Sequence, residues 1–420
     1  MNVISKAPTT EGGEGKLNVT FGDYNLRKVS TSNNFVVNDK IATRFSISST
    51  TRDGFTKNVF TGQDLDDANN KSIRTDWMFD LNDTSSLRVF GQYFKVDRNG
   101  AAIRGIDDQT SGMRKLSQDT VSQHELSSMV VAAIYESDLG FANLKAIASV
   151  QEDDVLVVRD NDRHNYLDPV LSIPGLGAGA TYQRAEFTPE TSLVDTTTFE
   201  INLISNEPAF NGKLDWTVGA FYMDHEIENV IRGYRDDDLD GRIKYLCDES
   251  FADPSYCYDH DYGIPGRFDI FGPAAEVDFF TDANPGRESF SVYGQTTLSL
   301  SESFRVVSGL RYSEDTFKTD VTNFLNVESF KEEGTTDEVT TRVVAEVDFS
   351  DDIMGYFALA RGFKPGGSNL TFGFTEEEDV AAGRPVAPAL VFPTFESETV
   401  ESLELGLKSV SYTHLRAHET

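Results

Sequence analysis

Nine residues, LDWTVGAFY, set Leu214, Trp216, Val218, Ala220 and Tyr222 on one side of an extended chain and Asp215, Thr217 and Gly219 on the other. A period of two is the signature of a strand with one apolar and one polar face. The same alternation places Leu403, Leu405 and Leu407 against Glu404, Gly406 and Lys408, and Phe45 and Ile47 against Arg44, Ser46 and Ser48. It also sets Phe304, Val306, Leu310 and Tyr312 against Arg305, Gly309 and Arg311. The segment LRVFGQYFKV is aromatic on both faces and gives no assignment by this rule. Alternation alone does not say which face meets the solvent.

The connections narrow the choice. Short polar turns fall at Asn38–Lys40, Asn82–Ser85, Glu136–Gly140, Ser205–Gly212, Ser301–Ser303 and Ser350–Asp352. Long connections lie between them, at about 50–73, 95–122, 152–198, 224–288, 313–338 and 364–397. Short and long alternate strictly, so every long loop sits at the same end of the strands. A soluble sandwich has no reason for that asymmetry. A transmembrane β-barrel has one, with short turns on one side and long extracellular loops on the other. Closure also removes strand edges that lipid does not tolerate. The expected fold is therefore all-β, an antiparallel transmembrane β-barrel.

Composition agrees. The formal net charge is −32, which argues against nucleic acid as a partner. The charge fits a heavily solvated surface or loops that attract cations, and aromatics at 11% argue against a disordered chain. The longest apolar run, MVVAAIY (Met129–Tyr135), is of strand length, so no helix is expected to cross a membrane. The start, MNVISKAPTT, has neither the basic nor the apolar region of a secretory signal.

With these strands in place, four stretches resemble the TonB-dependent outer-membrane receptors. NVISKAPT (Asn2–Thr9) is similar to the last plug strand, where the plug joins the barrel. The run from GKLNVTFGDYNLRKVSTS to RDGFTKNVFTG resembles the first barrel hairpin and its loop. YFALARGFKPGGSN and FESETVESLELGLKS resemble two later strands, and all four occur in the family's order. The resemblance implies a receptor that takes up a scarce ligand (an iron chelate, a carbohydrate or a vitamin), is embedded in outer-membrane lipid, and is driven by the TonB system through the N-terminal region. It divides the chain into the end of a plug at 1–10, barrel at 11–410, and a tail at 411–420 that lacks alternation and resembles an unrelated reading frame. Six hairpins and the Leu403 strand give about 13 strands, where the family's plugged barrels have 22. The expectation is an incomplete barrel from an internal gene fragment. A passive porin and a non-functional product are the alternatives.

Candidate sites are few. FKPGGSN is not a phosphate loop, because Lys364 precedes the glycines instead of following them. It reads as the rim of a strand, with Gly366 and Gly367 where β-carbons would clash. There Arg361 and Lys364 would face the plug or an anionic ligand, or simply end the strand. Asp236, Asp238, Asp240 and Gly241 match the first half of a calcium loop, but its twelfth position is Cys247 where a glutamate belongs. That connection, 224–288, holds 17 acidic against 6 basic residues, so calcium and plain solvation both remain open. Cys247 and Cys257 share it, and a disulfide is the expectation for a close pair in an exported loop. His414 and His418 have helical spacing without a zinc-protease motif. No spacing of Ser, His, Asp or Cys suggests catalysis, and no enzyme is expected.

Overall fold

The computed structural model describes residues 5–106, 108–161, 163–165, 185–236, 277–323, 326–369, 373–374, 390–391 and 394–409. The first strands are β1 (Glu14–Gly22), β2 (Leu26–Asn38), β3 (Ile41–Arg52), β4 (Thr56–Asn58), β5 (Asp64–Leu65), β6 (Ala68–Asn82), β7 (Ser85–Arg98) and β8 (Lys115–Leu116). Next come β9 (Gln123–Asp138), β10 (Ala142–Asp160), β11 (Ala185–Ser205), β12 (Leu214–Asp236), β13 (Val277–Ala283), β14 (Gly286–Ser299), β15 (Phe304–Asn323) and β16 (Asn326–Ser350). The last are β17 (Ile353–Lys364), β18 (Gly367–Ser368), β19 (Gly373–Phe374), β20 (Leu390–Val391), β21 (Thr394–Phe395) and β22 (Glu398–Ser409).

Fifteen of these form one antiparallel sheet in which each long strand pairs with the next in sequence, from β1 round to β22. β13 and β14 each pair with both β12 and β15, so they share one position in the sheet. The break between them falls at Asn284 and Pro285, where proline lacks the N–H that a ladder needs. The six expected hairpins and the Leu403 strand account for thirteen strands; β1 and β13 make up the fifteen.

All six short turns fall where the sequence puts them, and several share one device. Asn38 Oδ1 accepts from the Lys40 N–H at 2.9 Å, Asn82 Oδ1 from Thr84 at 2.9 Å, Asp138 Oδ1 from Gly140 at 2.8 Å and Ser350 Oγ from Asp352 at 3.3 Å. A short polar side chain that caps the backbone two residues ahead closes a tight turn locally. Four of the long connections are shorter than expected, while those near 95–122 and 364–397 fall almost where expected. The stretch 313–338 is ladder for most of its length, since β15 and β16 stay paired out to Asn323↔Asn326. Likewise β10 and β11 pair out to Asp160↔Phe187. Beyond the apolar band both faces of a strand meet water. Alternation then fades while the backbone pairing continues.

The two faces are sorted by chemistry. Leu17, Val19, Ile73, Trp77, Val131, Val218, Val292, Leu310, Val343 and Leu359 are large and exposed on one face. Leu403, Leu405 and Leu407 are 69%, 80% and 68% exposed. On β6 the exposed positions run from Ile73 through Trp77 to Leu81, close to the ~10 residues that a tilted strand needs to cross a bilayer. Aromatic rings on this face pair along and across the strands, Trp77 with Phe79 and Phe199 with Tyr222. The opposite face carries the ion pairs of Asp76 and Glu346. LRVFGQYFKV is resolved here too: Leu87, Val89 and Tyr93 share the apolar face, and Phe90 lies on the polar one beneath a guanidinium.

Candidate functional site: the inner wall and the loop cap

The long connections after β3 and β7 fold together at the loop end. β4 pairs with β5 antiparallel and with β8 in parallel, which makes a three-stranded sheet from two loops. Asn58 is fully buried at its centre. Its Nδ2 donates to Gln118 O at 2.9 Å, and its Oδ1 accepts from the Gln118 and Phe60 N–H groups. Leu65 and Leu116 are buried beside it. Gly54 sits where a β-carbon would run into the Asp64 and Leu65 backbone. Arg52 and Arg114 lie over the Phe55 ring at 4.9 and 5.1 Å, two cation–π contacts. Burial works to raise the Asp108 carboxyl. Hydrogen bonds from the Thr110 side chain and backbone and from the Ser117 N–H, with Arg104 nearby, outweigh it and hold Asp108 below the ordinary carboxylate range.

On the polar face, Asp76 of β6 is 1% exposed. Arg88 of β7 takes it in a two-pronged grip, Nε to Oδ1 at 2.8 Å and Nη2 to Oδ2 at 2.6 Å, and Arg74 adds a bond at 3.2 Å. Arg74 also stacks on Phe90 at 3.8 Å. Both arginines donate to Ser5 Oγ, at 3.2 and 3.0 Å. Ser5 begins a strap, Ser5–Gly13, that forms no strand and lies on this face. Asn34 holds the strap at Thr9 and Gly12 through three bonds of 2.8–3.0 Å. Beside it is a polar recess of about 280 Å³ lined by Ser32, Ser46, Ser48, Ser72, Arg74 and Gln92.

Farther round the same face, the Tyr293 hydroxyl lies 2.8 Å from Glu200 and 2.7 Å from Asn202. Gly219 leaves room for that ring, since a β-carbon there would come within 2.7 Å of it. At the loop end, Arg287 of β14 donates to Gly366 O at 2.9 Å, which draws the segment after β17 inward over the intervening strands. Gly366 and Gly367 are required for space: a β-carbon would meet Phe395 O at 2.7 Å or the Phe395 ring at 2.8 Å. Lys364 Nζ sits 5.8 Å from the same ring. Arg361 continues the alternate positions of Phe357 and Leu359 and pairs with Glu338 at 3.0 Å.

Of the expected rim residues, Gly366, Gly367 and Lys364 lie against Phe395, while Arg361 stands on the face of Phe357 and Leu359 and not on the polar one. Asn34, Arg74, Asp76, Arg88 and the loop cap were not found from the sequence. Their signal, charges at polar-face positions of neighbouring strands, is visible only once the register is known. Of the expected calcium ligands, Asp236 ends β12. Asp238, Asp240, Cys247, Cys257 and the 411–420 tail lie outside the described residues.

Comparisons with known proteins fit this geometry. Residues 9–417 match the family described as TonB dependent receptor-like, beta-barrel. Among solved structures, the ferric yersiniabactin uptake receptor FyuA of Yersinia pestis superposes with a TM-score of 0.69 at 13% identity, over 97% of this chain and 53% of that one. The closed form of the ferric-catecholate import receptor Fiu of E. coli K12 gives 0.62 at 12%, over 97% and 57%. The siderophore receptor PiuA of Acinetobacter baumannii gives 0.59 at 16%, over 86% and 50%. The chain thus spans about half the length of the structures it matches. A match over nearly its whole length, on a sheet with an apolar outer band and a polar inner wall, makes this chain a member of the TonB-dependent receptor β-barrel family.

Proposed function

We propose that this chain is wall and loop cap of an outer-membrane receptor for active uptake of a scarce solute, with an iron chelate as the first candidate. The observation that carries this reading is the inner wall. It is lined with guanidinium groups (Arg44, Arg74, Arg88, Arg287, Arg305, Arg311) in a chain of net charge −32. Chain segments fold onto that wall from both ends of the sheet, at Ser5–Gly13 and at Gly366. A wall of that kind suits a filled lumen better than an open pore. Arginine forks suit oxygen-rich anionic cargo or the residues of a plug. The similarity to structures described as ferric-siderophore receptors supports iron as the cargo to test first.

Uptake is tested in cells lacking the gene, grown under iron limitation and supplied with radiolabelled ferric siderophores. Restoration of uptake by the gene, and its loss when TonB is removed, are the expected results. Uptake that is independent of TonB, together with a steady conductance in planar bilayers, would instead mark a passive pore. The acidic connection that includes Asp236, Asp238 and Asp240 is proposed to bind calcium, and Cys247 and Cys257 to pair. Calorimetry of the loop peptide with millimolar calcium, and the peptide's mass before and after reduction, test the two separately.

A further inference from the structure

We infer that Arg44, Arg74 and Arg88 form a seat on the inner wall for a carboxylate supplied from the lumen. Arg44 lies in β3 directly opposite Asp76, and Arg74 and Arg88 flank that same carboxylate. The Arg44 side chain is 8% exposed, and its Nε and Nη2 have no hydrogen-bond acceptor among the described residues. Its nearest carboxylate, Glu14, stands 3.8 Å from Nη2 and is itself held by Lys6. Four cationic groups, Arg44, Arg74, Arg88 and Lys6, thus meet two carboxylates directly, Asp76 and Glu14, with Glu136, itself held by Lys145, acting on Arg88 from farther off. A buried guanidinium without an acceptor is costly, and a carboxylate matches its planar fork. Arg74 and Arg88 already turn a donor each toward a neutral oxygen, Ser5 Oγ, at the lumen side of the same cluster. The carboxylate comes from one of two sources: a side chain of the body that fills the lumen, or a small anionic solute passing through it. The inference rests on the proposed reading of this face as the wall of a filled lumen, and not on which solute is transported.

The test is ¹⁵N NMR of arginine Nε–H groups in the detergent-solubilised protein, with the Arg44 signal assigned by its loss in Arg44→Lys. Sodium glutarate is the probe, and sodium chloride at equal ionic strength is the control. A saturable shift of the Arg44 signal at millimolar glutarate, absent with chloride, supports a seat for a free anion. If the signal without additive already exchanges about tenfold more slowly than that of exposed Arg27 and ignores glutarate, the protein itself supplies the carboxylate. That second result must persist in Glu14→Gln; its loss there would mean Glu14 simply swings over, and would overturn the proposal. Fast exchange with no response to glutarate would overturn it as well, because water alone would then serve Arg44.

Discussion

Asp76 shows how much a single register position decides. In the string RTDWMFDLN it is one acidic residue among several, and nothing in that string points to Arg88, twelve residues away. Pairing of β6 with β7 brings Arg88 within reach and leaves the carboxylate almost fully enclosed. Removing one partner of such a cluster strands a buried charge. Asp76→Ala is therefore expected to lower stability by about 3–5 kcal/mol. Arg361→Ala removes a half-exposed pair with Glu338 and is expected to cost about 1 kcal/mol or less, since water screens it. Urea unfolding of both variants in the same detergent compares them directly, and equal losses would contradict the assignment. Phe90 teaches the same lesson: its ring faces the polar wall because Arg74 covers it, a contact that strand periodicity does not encode.

Among the elements, the six short turns were legible because each is written in contiguous residues. The loop cap was not, because Lys57–Asn58 pair with Lys115–Leu116, far along the chain. The loop boundary near 313–338 was misplaced for a related reason: β15 and β16 continue as a ladder where alternation has stopped. Two predictions belong to the cap. Gly54→Ala forces the Asp64–Leu65 backbone away, so β4 and β5 should separate and the loop should be cut faster by external protease, with the barrel strands unaffected. Unchanged cleavage would mean the cap has slack there. The second concerns pH. The Asp108 carboxyl is depressed in the folded loop from an ordinary value of 3.8. Its contribution is therefore fully present above that value and lost as pH falls through the lower folded one. Pepsin cleavage within 98–123 should rise between pH 4 and pH 2 more steeply than protease activity alone explains. Asp108→Asn should flatten the excess and weaken the cap at neutral pH.

For the whole molecule, the choice between apolar-out and apolar-in was invisible in the pattern, since either satisfies a period of two. The structure decides it through what each face can hold. The inner face contains paired guanidinium and carboxylate groups with two folded-in chain segments, while Leu403, Leu405 and Leu407 on the outer face are largely exposed among the described residues. An apolar face of that extent is stable only against lipid. One substitution on adjacent residues of β12 tests this. Val218 lies on the outer face, paired across the sheet with Leu203 and Gly294, within the middle of the band. Thr217 lies on the inner one. Val218→Arg should destabilise the membrane-inserted protein by about 2–4 kcal/mol, the cost of a cation near the bilayer midplane. Thr217→Arg, facing a polar and hydrated wall, should cost far less. Urea titration of both variants reconstituted in lipid vesicles gives the difference. If the inner variant proved the weaker, the assignment of the two faces, and with it the reading of the inner wall as a passage for solute, would have to be reversed.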